Sequence, residues 1–298
     1  MPSILIAPAG KQGFATAKAL LKRGLQVHFL ARNSSSATAR ELQSLGAVLH
    51  NGDLSSRDAL EDAMKGIDGV FFAVPANSRD PEDEIRMGIN VIKAAQKHGI
   101  KHLVLSTVAR TGEHMTFPGW NDQSPMAWYW KNRDRLEDMV RSSGIPTWTI
   151  LRPSAFMQVF CPPAVDSMFP GLTDQHVLRL PFNPNTRLDL IHVPDIAEFA
   201  AAAFESPSKY YGKEIALAGQ KMTAAELAEQ LSMVTGHKIA VELLDEAQAR
   251  EAAAQGNMIM ASQIWWRDVG YGVDIKALQQ FGIPLTPLTQ ALDKASLW

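Results

Sequence analysis

The chain has 298 residues, a formal net charge of −2, 46% hydrophobic residues and 20% charged residues. These proportions exclude an intrinsically disordered chain, which combines low hydrophobicity with high net charge. The near balance of 29 basic and 31 acidic residues provides no attraction to a phosphate backbone, so we expect no nucleic-acid partner. The length allows one large domain, or a large domain and a small one.

No apolar run approaches the roughly 18 residues that span a bilayer. The first apolar segment ends at Pro8 and Gly10, unlike a signal peptide. The one cysteine, Cys161, cannot form an internal disulfide, and a cysteine-based zinc site needs several thiolates. We therefore expect a cytoplasmic protein without a membrane partner or a metal.

The first half of the chain alternates short apolar runs, typical of buried strands, with amphipathic segments, typical of helices. The predicted strands are 4–6, 27–30, 48–49, 70–74, 103–105 and 148–151. The predicted helices are 14–23, 38–45, 55–64, one that ends near Gly99 with Ile85, Gly88, Ile89, Ile92 and Ala95 on its inward face, and 133–143. Strands that are apolar on both faces and alternate with helices predict an α/β fold, a doubly wound parallel Rossmann sheet.

This regularity ends after Pro153, because six prolines fall between positions 153 and 184. We predict a nucleotide-binding domain over 1–153 and a smaller mixed α/β lobe over 154–298, with some segments returning to the sheet. The elements predicted in the second part are strands at 188–191 and 239–243 and helices at 196–204, 224–234, 246–254 and 258–266. Asp195 and Glu198 have the spacing of a capping box at a helix start.

The loop between the first strand and the first helix contains Gly10, Lys11, Gln12 and Gly13. Glycine lets the backbone approach a diphosphate, and the N-terminus of the following helix presents N–H groups to the anion. The second predicted strand ends about 20 residues further on, as this motif requires. We therefore predict that these four residues bind the diphosphate of a dinucleotide.

Arg32 follows the second strand, where chains that bind NAD usually carry an acidic residue for the ribose 2′-hydroxyl. A guanidinium instead pairs with a 2′-phosphate, and the serines at 34–36 add donors. This pattern favours NADP(H) over NAD(H). The alternative is that Arg32 is a solvated loop charge.

Polar residues also follow the third and fourth strands. Asp53 is a candidate to accept a hydrogen bond from an adenine amino group, and equally a candidate N-cap for the helix that begins near Ser55. Pro75 follows the fourth strand beside the expected nucleotide and is a candidate cofactor-binding residue. Asn77, two residues later, either contacts the cofactor or turns the chain. We expect both strand ends to lie at the nucleotide site.

These motifs resemble the NmrA-like family of atypical short-chain dehydrogenases/reductases over almost the whole chain. The residues that carry the resemblance are Gly10, Gly13, 31–33, 52–54, Lys131, 135–137, 149–153, 156–157 and 195–197. The resemblance implies a Rossmann domain, NADP(H) and a small C-terminal substrate lobe, and it adds Leu54, Pro153 and Phe156 to the expected cofactor-binding residues. It also implies one of two roles, since members are either reductases or nucleotide-sensing regulators that bind partner proteins.

The sequence departs from the family at its first loop. Ala7 and Ala9 stand where the family carries the first glycine and the threonine of Gly-x-Thr-Gly-x-x-Gly, and Pro8 removes one N–H donor. Because Gly10 and Gly13 are retained, we expect the cofactor still to bind.

The Tyr-x-x-x-Lys pair of short-chain dehydrogenases is absent, because no tyrosine is followed four residues later by lysine. The resemblance makes Lys131 the candidate catalytic residue, either holding the nicotinamide ribose or donating a proton. The alternative is a surface lysine in a charged helix start. Ketone reduction needs an acid beside the new alkoxide, so a site without the tyrosine favours an imine, an iminium or a conjugated substrate.

Tryptophans are candidates for the substrate site: Trp120, Trp128, Trp265 and Trp266. They follow the fifth strand or lie in the C-terminal lobe, both of which flank the nicotinamide end of such a fold. Their rings suit a flat apolar or cationic molecule, although core packing is the alternative for at least half of them.

The leading hypothesis is an NADP(H)-dependent reductase of a small aromatic or cyclic organic molecule. The alternative is a non-catalytic NADP(H) sensor that binds a regulatory protein. A weaker third possibility is a cofactor-bound scaffold that steers a cyclisation.

Overall fold

The computed structural model describes residues 2–292 and residue 297. It divides into two compact units that are interleaved along the chain. Among the described residues, the first unit contains 2–112, 129–152 and 193–215, and the second contains 113–128, 153–192 and 216–292. The segment 193–215 thus returns to the first unit, while 113–128 belongs to the second, so the division is not a single boundary at position 153.

The strands in the described residues alternate with helices through the first half of the chain. The strands are β1 (Ser3–Ala7), β2 (Gln26–Ala31), β3 (Val48–Asn51), β4 (Gly69–Phe72), β5 (His102–Ser106), β6 (Thr147–Pro153), β7 (Ala155–Phe156), β8 (Val177–Leu180), β9 (Arg187–Ile191), β10 (Lys213–Leu217), β11 (Gln220–Thr223) and β12 (Ala240–Leu243). The helices are α1 (Lys11–Lys22), α2 (Ala37–Ser44), α3 (Arg57–Ala63), α4 (Pro81–Lys97), α5 (Ala127–Arg141), α6 (Ala164–Met168), α7 (Val193–Glu205), α8 (Pro207–Tyr210), α9 (Ala224–Thr235), α10 (Glu246–Ala254), α11 (Met258–Asp268) and α12 (Leu288–Ala291).

The first unit is built on a seven-stranded sheet in the order β10-β6-β5-β4-β1-β2-β3. Strands β1 to β6 pair in parallel, with Ile4 opposite Val27 on one side and Gly69 on the other. The predicted doubly wound Rossmann sheet is therefore confirmed. The strand order reverses between β1 and β4, which is where ligands bind in folds of this kind, outside the carboxyl ends of the strands.

Both faces of this sheet are covered, since every residue of β1, β4 and β5 is buried. On one face Leu5, Phe72 and Leu103 join a core with residues of α3, α4 and α5. On the other face α1 packs on α7, and the Phe204 ring of α7 lies where a side chain at Gly69 would project. Burial on both faces explains the unbroken apolar runs of these strands.

Three predictions about helices are wrong in detail. Helix α5 begins at Ala127 rather than at position 133. Its first turn is apolar and includes the buried Ala127 and Trp130, so it precedes the charged residues on which the prediction is based. Ile89 of α4 is 36% exposed, since it lies beside the buried stripe formed by Ile85, Gly88 and Ile92. Helix α7 begins at Val193, so Asp195 lies within its first turn rather than at its cap.

The second unit contains two small sheets. In one, β9 pairs antiparallel with β11 and parallel with β7, and in the other β8 pairs in parallel with β12. Asp189 of β9 is buried, and its Oδ2 accepts a hydrogen bond from the Gly272 backbone N–H at 3.1 Å. This contact fixes the loop after α11 onto β9.

Within residues 2–292, no helix is long and apolar enough to cross a membrane.

Candidate functional site

The two glycines of the first loop differ in what surrounds them. A Cβ atom at Gly13 would lie 2.2 Å from the Pro8 carbonyl oxygen and 2.8 Å from Ile6 Cγ2, so the packing of α1 on β1 requires glycine there. A Cβ atom at Gly10 would meet no protein atom within 4 Å. Gly10 is the N-cap of α1 and provides no side-chain cap, so the first N–H groups of the helix remain available to a ligand.

A cleft of about 390 Å³ opens at the carboxyl ends of β1, β2 and β3. Its lining comes from the first loop, the segment after β2, the segment after β3 and the start of α4. The lining residues are Pro8, Ala9, Gly10, Leu30, Ala31, Arg32, Asn33, Ser36, Thr38, Gly52, Asp53, Leu54, Ser55, Pro75, Asp83 and Met87. We call this space the cleft. It brings together Gly10, Arg32, Asp53, Leu54 and Pro75, which the sequence predicted separately.

Arg32 is exposed, and its side chain has no hydrogen-bond or ion-pair partner among residues 2–292. Next to it, Ser36 caps α2 by accepting a hydrogen bond from the Ala39 N–H at 3.1 Å, which leaves the Ser36 hydroxyl proton available to an acceptor. Asn33 Oδ1 accepts from the Ser35 N–H at 2.9 Å and so holds the turn between them. The segment thus offers a guanidinium and a hydroxyl donor without any structural need for the charge.

Asp53 has a structural role at the end of β3. Its Oδ1 accepts hydrogen bonds from the backbone N–H groups of Ser55 at 2.9 Å and Ser56 at 3.2 Å. Ser56, not Asp53, is the N-cap of α3, so the predicted alternative of a helix cap is replaced by a turn just before the helix. Leu54 beside it is buried and lines the cleft.

Asn77 also turns the chain, since its Oδ1 accepts from the N–H groups of Arg79 at 3.2 Å and Asp80 at 3.3 Å. It does not line the cleft, whereas Pro75 does. Gln12 is engaged as well, because its Oε1 accepts a hydrogen bond from the Ser106 hydroxyl at 2.7 Å. That contact ties α1 to the end of β5.

Sequence reasoning missed Thr38, Asp83 and Met87, which also line the cleft. Asp83 and Met87 are four residues apart and therefore share one face of α4. No local pattern marks that face as ligand-binding, since it meets the first loop only in the folded chain.

Lys131 lies half-buried on α5 of the first unit. Tyr129 precedes Lys131 by two residues and Arg133 follows it by two. These two side chains contact each other, with the guanidinium carbon of Arg133 5.0 Å from the centre of the Tyr129 ring. Burial raises the pKa of Tyr129. Tyr129 therefore stays neutral at physiological pH.

The other predicted residues belong to the second unit. Pro153 ends β6 and is buried, and Phe156 of β7 pairs with Ile191 of β9. Trp128 is half-buried at the start of α5. Neither Pro153 nor Phe156 lines the cleft.

Five rings of the second unit form what we call the aromatic cluster: His114, Phe117, Trp120, Trp265 and Tyr271. The ring centroids are separated by 4.8 Å for His114 and Trp120, 5.6 Å for Phe117 and Trp265, and 5.1 Å for Trp265 and Tyr271. Trp120 Nε1 and His114 Nδ1 are buried without a hydrogen-bond partner in the described chain. Two buried polar nitrogens within a group of rings are costly for the protein alone.

Trp266 differs from the other predicted tryptophans, because it is 5% exposed and its Nε1 donates to the Tyr271 hydroxyl at 2.9 Å. Its burial and this hydrogen bond favour the core-packing alternative for Trp266. No group of three or more metal-ligating side chains occurs in the part of the chain that the structure describes.

The family model for the NmrA-like family matches residues 3–278. The chain belongs to the NmrA-like family. It is 30% identical to (4-alkanoyl-5-oxo-2,5-dihydrofuran-3-yl)methyl phosphate reductase from Streptomyces griseus over 227 residues, which are 76% of this chain and 71% of the relative. It is 26% identical to NAD(P)H azoreductase from Xenophilus azovorans over 252 residues, which are 84% of this chain and 79% of the relative.

Among solved structures, the fold matches triphenylmethane reductase from Citrobacter sp., crystallised as a complex with NADP(H). The TM-score is 0.79 at 20% identity, and the match covers 100% of both chains. The predicted resemblance to the family is thus confirmed, and the match extends beyond the nucleotide-binding half.

Proposed function

We propose that this protein is an NADP(H)-dependent reductase that transfers hydride to a small aromatic or cyclic organic molecule. The observation that carries the proposal is Arg32, an exposed guanidinium without a partner in the described chain that lines the cleft. An unpartnered cation beside a serine hydroxyl and a helix N-terminus suits a phosphate on the adenosine ribose. The reductase relatives support the same chemistry.

The residues of the first unit suit the remaining parts of a dinucleotide. The open space at Gly10 and the uncapped N-terminus of α1 would receive the diphosphate, with the exposed Lys11 beside it. Leu54 and Met87 would provide apolar contacts to the adenine. When bound, NADPH would supply hydride for the reaction.

The substrate we favour carries an imine, an iminium or a conjugated system. The absence of a Tyr-x-x-x-Lys pair supports substrates whose protonation does not need that tyrosine, since solvent can provide the proton. The unpartnered nitrogens of Trp120 and His114 support recognition of an acceptor atom on an aromatic molecule. Trp265 belongs to the same cluster, and Trp128 remains a proposed substrate residue on its sequence position.

Lys131 on α5 is our candidate catalytic residue. It would either hold the nicotinamide ribose or donate a proton. The two roles differ in the expected result for Lys131→Met. Loss of a ribose contact raises the KM for NADPH, whereas loss of a proton donor lowers kcat. A variant that matches the wild type in both KM and kcat would remove Lys131 from the site.

The proposal is tested by titrating the protein with NADPH and NADH, and then by following NADPH consumption with a panel of imines, enals and quinones. We expect NADPH to bind more tightly than NADH and to be consumed in equal amount with the product. Arg32→Asp should weaken NADPH binding by about 10- to 100-fold, as expected for charge-assisted hydrogen bonds of about 1.5–3 kcal/mol, and should favour NADH.

Arg40→Asp is the matched control, because Arg40 is an exposed arginine of α2 that does not line the cleft. Equal losses of NADPH affinity in Arg32→Asp and Arg40→Asp would indicate a general effect of charge rather than a phosphate site. Tight NADPH binding without turnover of any compound, together with a protein recovered by pull-down, would favour the sensor. No binding of either cofactor would contradict both functions.

A further inference from the structure

Arg133 of α5 and Glu84 of α4 form an ion pair inside the first unit. Arg133 Nη2 lies 3.1 Å from Glu84 Oε1, and the two side chains are 5% and 0% exposed. Removing two charges from water costs several kcal/mol for each ion, and a pair of apolar side chains often fills such a place equally well. In addition, Arg133 Nε is buried without a hydrogen-bond partner in the described chain. Stability alone is therefore a poor explanation for this pair.

The pair holds the segment between β4 and α4 at two points. Arg133 Nη1 donates to the Val74 carbonyl at 2.9 Å, and the Asn77 backbone N–H donates to Glu84 Oε1 at 3.0 Å. The neighbouring Asn132 donates from Nδ2 to the Pro81 carbonyl at 2.7 Å. Helix α5 thus holds the start and the end of the segment 74–81, while Glu84 of α4, which is paired with Arg133, holds its middle.

That segment forms one wall of the cleft. Pro75 lies between the two fixed points and lines the cleft, and so do Asp83 and Met87 on the first turns of α4. The buried pair therefore sets the position of this wall relative to α5. Lys131 is two residues from Arg133 on the same helix.

We propose that Arg133 and Glu84 are positioning residues that hold the β4–α4 wall of the cleft at the spacing required by the bound NADP(H). This inference rests on the proposed function, since it concerns the affinity of the same cleft. Binding sites that depend on a supporting shell of residues lose affinity when that shell loosens.

A second ion pair joins the same two helices and provides a matched control. Arg135 Nη1 lies 2.9 Å from Glu82 Oε1, and these side chains are 50% and 62% exposed. Each residue is two positions from its buried counterpart, yet within the described residues the two side chains are hydrogen-bonded to each other and not to the segment 74–80. An exposed pair of this kind contributes little to stability.

The test compares Glu84→Gln/Arg133→Met with Glu82→Gln/Arg135→Met. Glutamine retains an acceptor for the Asn77 N–H, and methionine fills much of the arginine volume without a charge, so the buried double variant is expected to unfold cooperatively. We expect its Kd and KM for NADPH to rise roughly tenfold while kcat at saturating NADPH stays within about twofold. The exposed double variant should match the wild type.

Adenosine 2′,5′-bisphosphate provides a second measurement, because it matches the adenosine half of NADPH and carries no nicotinamide. Its Kd should rise in the buried variant by a similar factor. If the buried double variant fails to fold, Glu84→Gln alone is measured, with an expected rise in Kd of about threefold.

Two outcomes would overturn the inference and leave the proposed function intact. One is wild-type affinity for NADPH in the buried double variant, and the other is an equal loss of affinity in both double variants. Absence of NADPH binding to the wild type would instead overturn the proposed function. The two failures are therefore distinguishable in one set of titrations.

Discussion

The cleft of the first unit and the aromatic cluster of the second use their candidate ligand-binding residues in opposite ways. In the cleft, Arg32 is exposed and unpartnered in the described chain, and Gly10 has open space around it. In the aromatic cluster, the rings of Phe117 and His114 are buried, and the Phe117 ring centroid lies 5.6 Å from that of Trp265.

In the cleft, a substitution can therefore change ligand binding without changing stability. In the aromatic cluster, a substitution changes both. A residue without structural partners can be changed with an effect on the ligand alone, whereas a ring that also packs in a core affects both. The following predictions test that contrast, beginning with the largest expected change.

The largest effect concerns stability, at His102, the first residue of β5. Its Nε2 lies 3.1 Å from Thr149 Oγ1, whose hydroxyl donates to the Tyr210 carbonyl at 3.0 Å, and burial lowers the pKa of His102 to about 4. The unfolded chain therefore binds this proton more readily than the folded chain. The contribution of His102 to the free energy of unfolding is fully present above about pH 6.5. About 3 kcal/mol of this contribution is lost as the pH falls toward 4.

His102→Gln keeps an N–H donor for Thr149 but does not titrate. Urea unfolding at several pH values should show a smaller loss of stability with acid in this variant than in the wild type, while NADPH affinity at neutral pH is unchanged. Parallel pH dependence in the two proteins would contradict the assigned environment of His102.

Gly13→Ala should reduce the free energy of unfolding by about 1–3 kcal/mol, because the new Cβ would overlap the Pro8 carbonyl and Ile6. Urea unfolding measures the effect. An alanine variant as stable as the wild type would show that the packing of α1 on β1 does not require glycine.

Trp266→Phe should destabilise the protein by about 1–2 kcal/mol, since it removes the donor to the Tyr271 hydroxyl and leaves a small void. Trp120→Phe should leave stability unchanged or slightly higher, because the N–H that it removes has no partner in the described chain. The KM for the substrate should rise only in Trp120→Phe. The opposite pattern would exchange the roles of the two tryptophans.

The smallest expected effect is that of Gly10→Ala. Its Cβ would meet no protein atom, so the free energy of unfolding should fall by less than about 1 kcal/mol, the cost of alanine in place of glycine at an N-cap. A methyl group directed at the diphosphate should weaken NADPH binding by about three- to tenfold, which corresponds to about 1 kcal/mol. Unchanged affinity would indicate that the diphosphate does not approach Gly10.

The sequence by itself determined the parallel sheet and one edge of the cleft. Unbroken apolar strands such as 4–6 and 103–105 are buried on both faces. The nucleotide motif, with glycines after one strand and Arg32 after the next, is defined only by the order of residues along the chain. These signals are short-range, so they can be read without knowing how the chain folds back. The resemblance to the NmrA-like family also rests on such short motifs, and the family model confirms it.

Tertiary structure alone decided the rest. Asp83 and Met87 line the cleft because α4 lies beside the first loop in the folded chain, and the buried Trp266 N–H donates to the hydroxyl of Tyr271. The link from Arg133 to Val74 joins residues 59 positions apart. A pattern along the chain records which side chains are apolar or charged, but the partner that satisfies each buried polar group is set by elements that meet only in the folded protein.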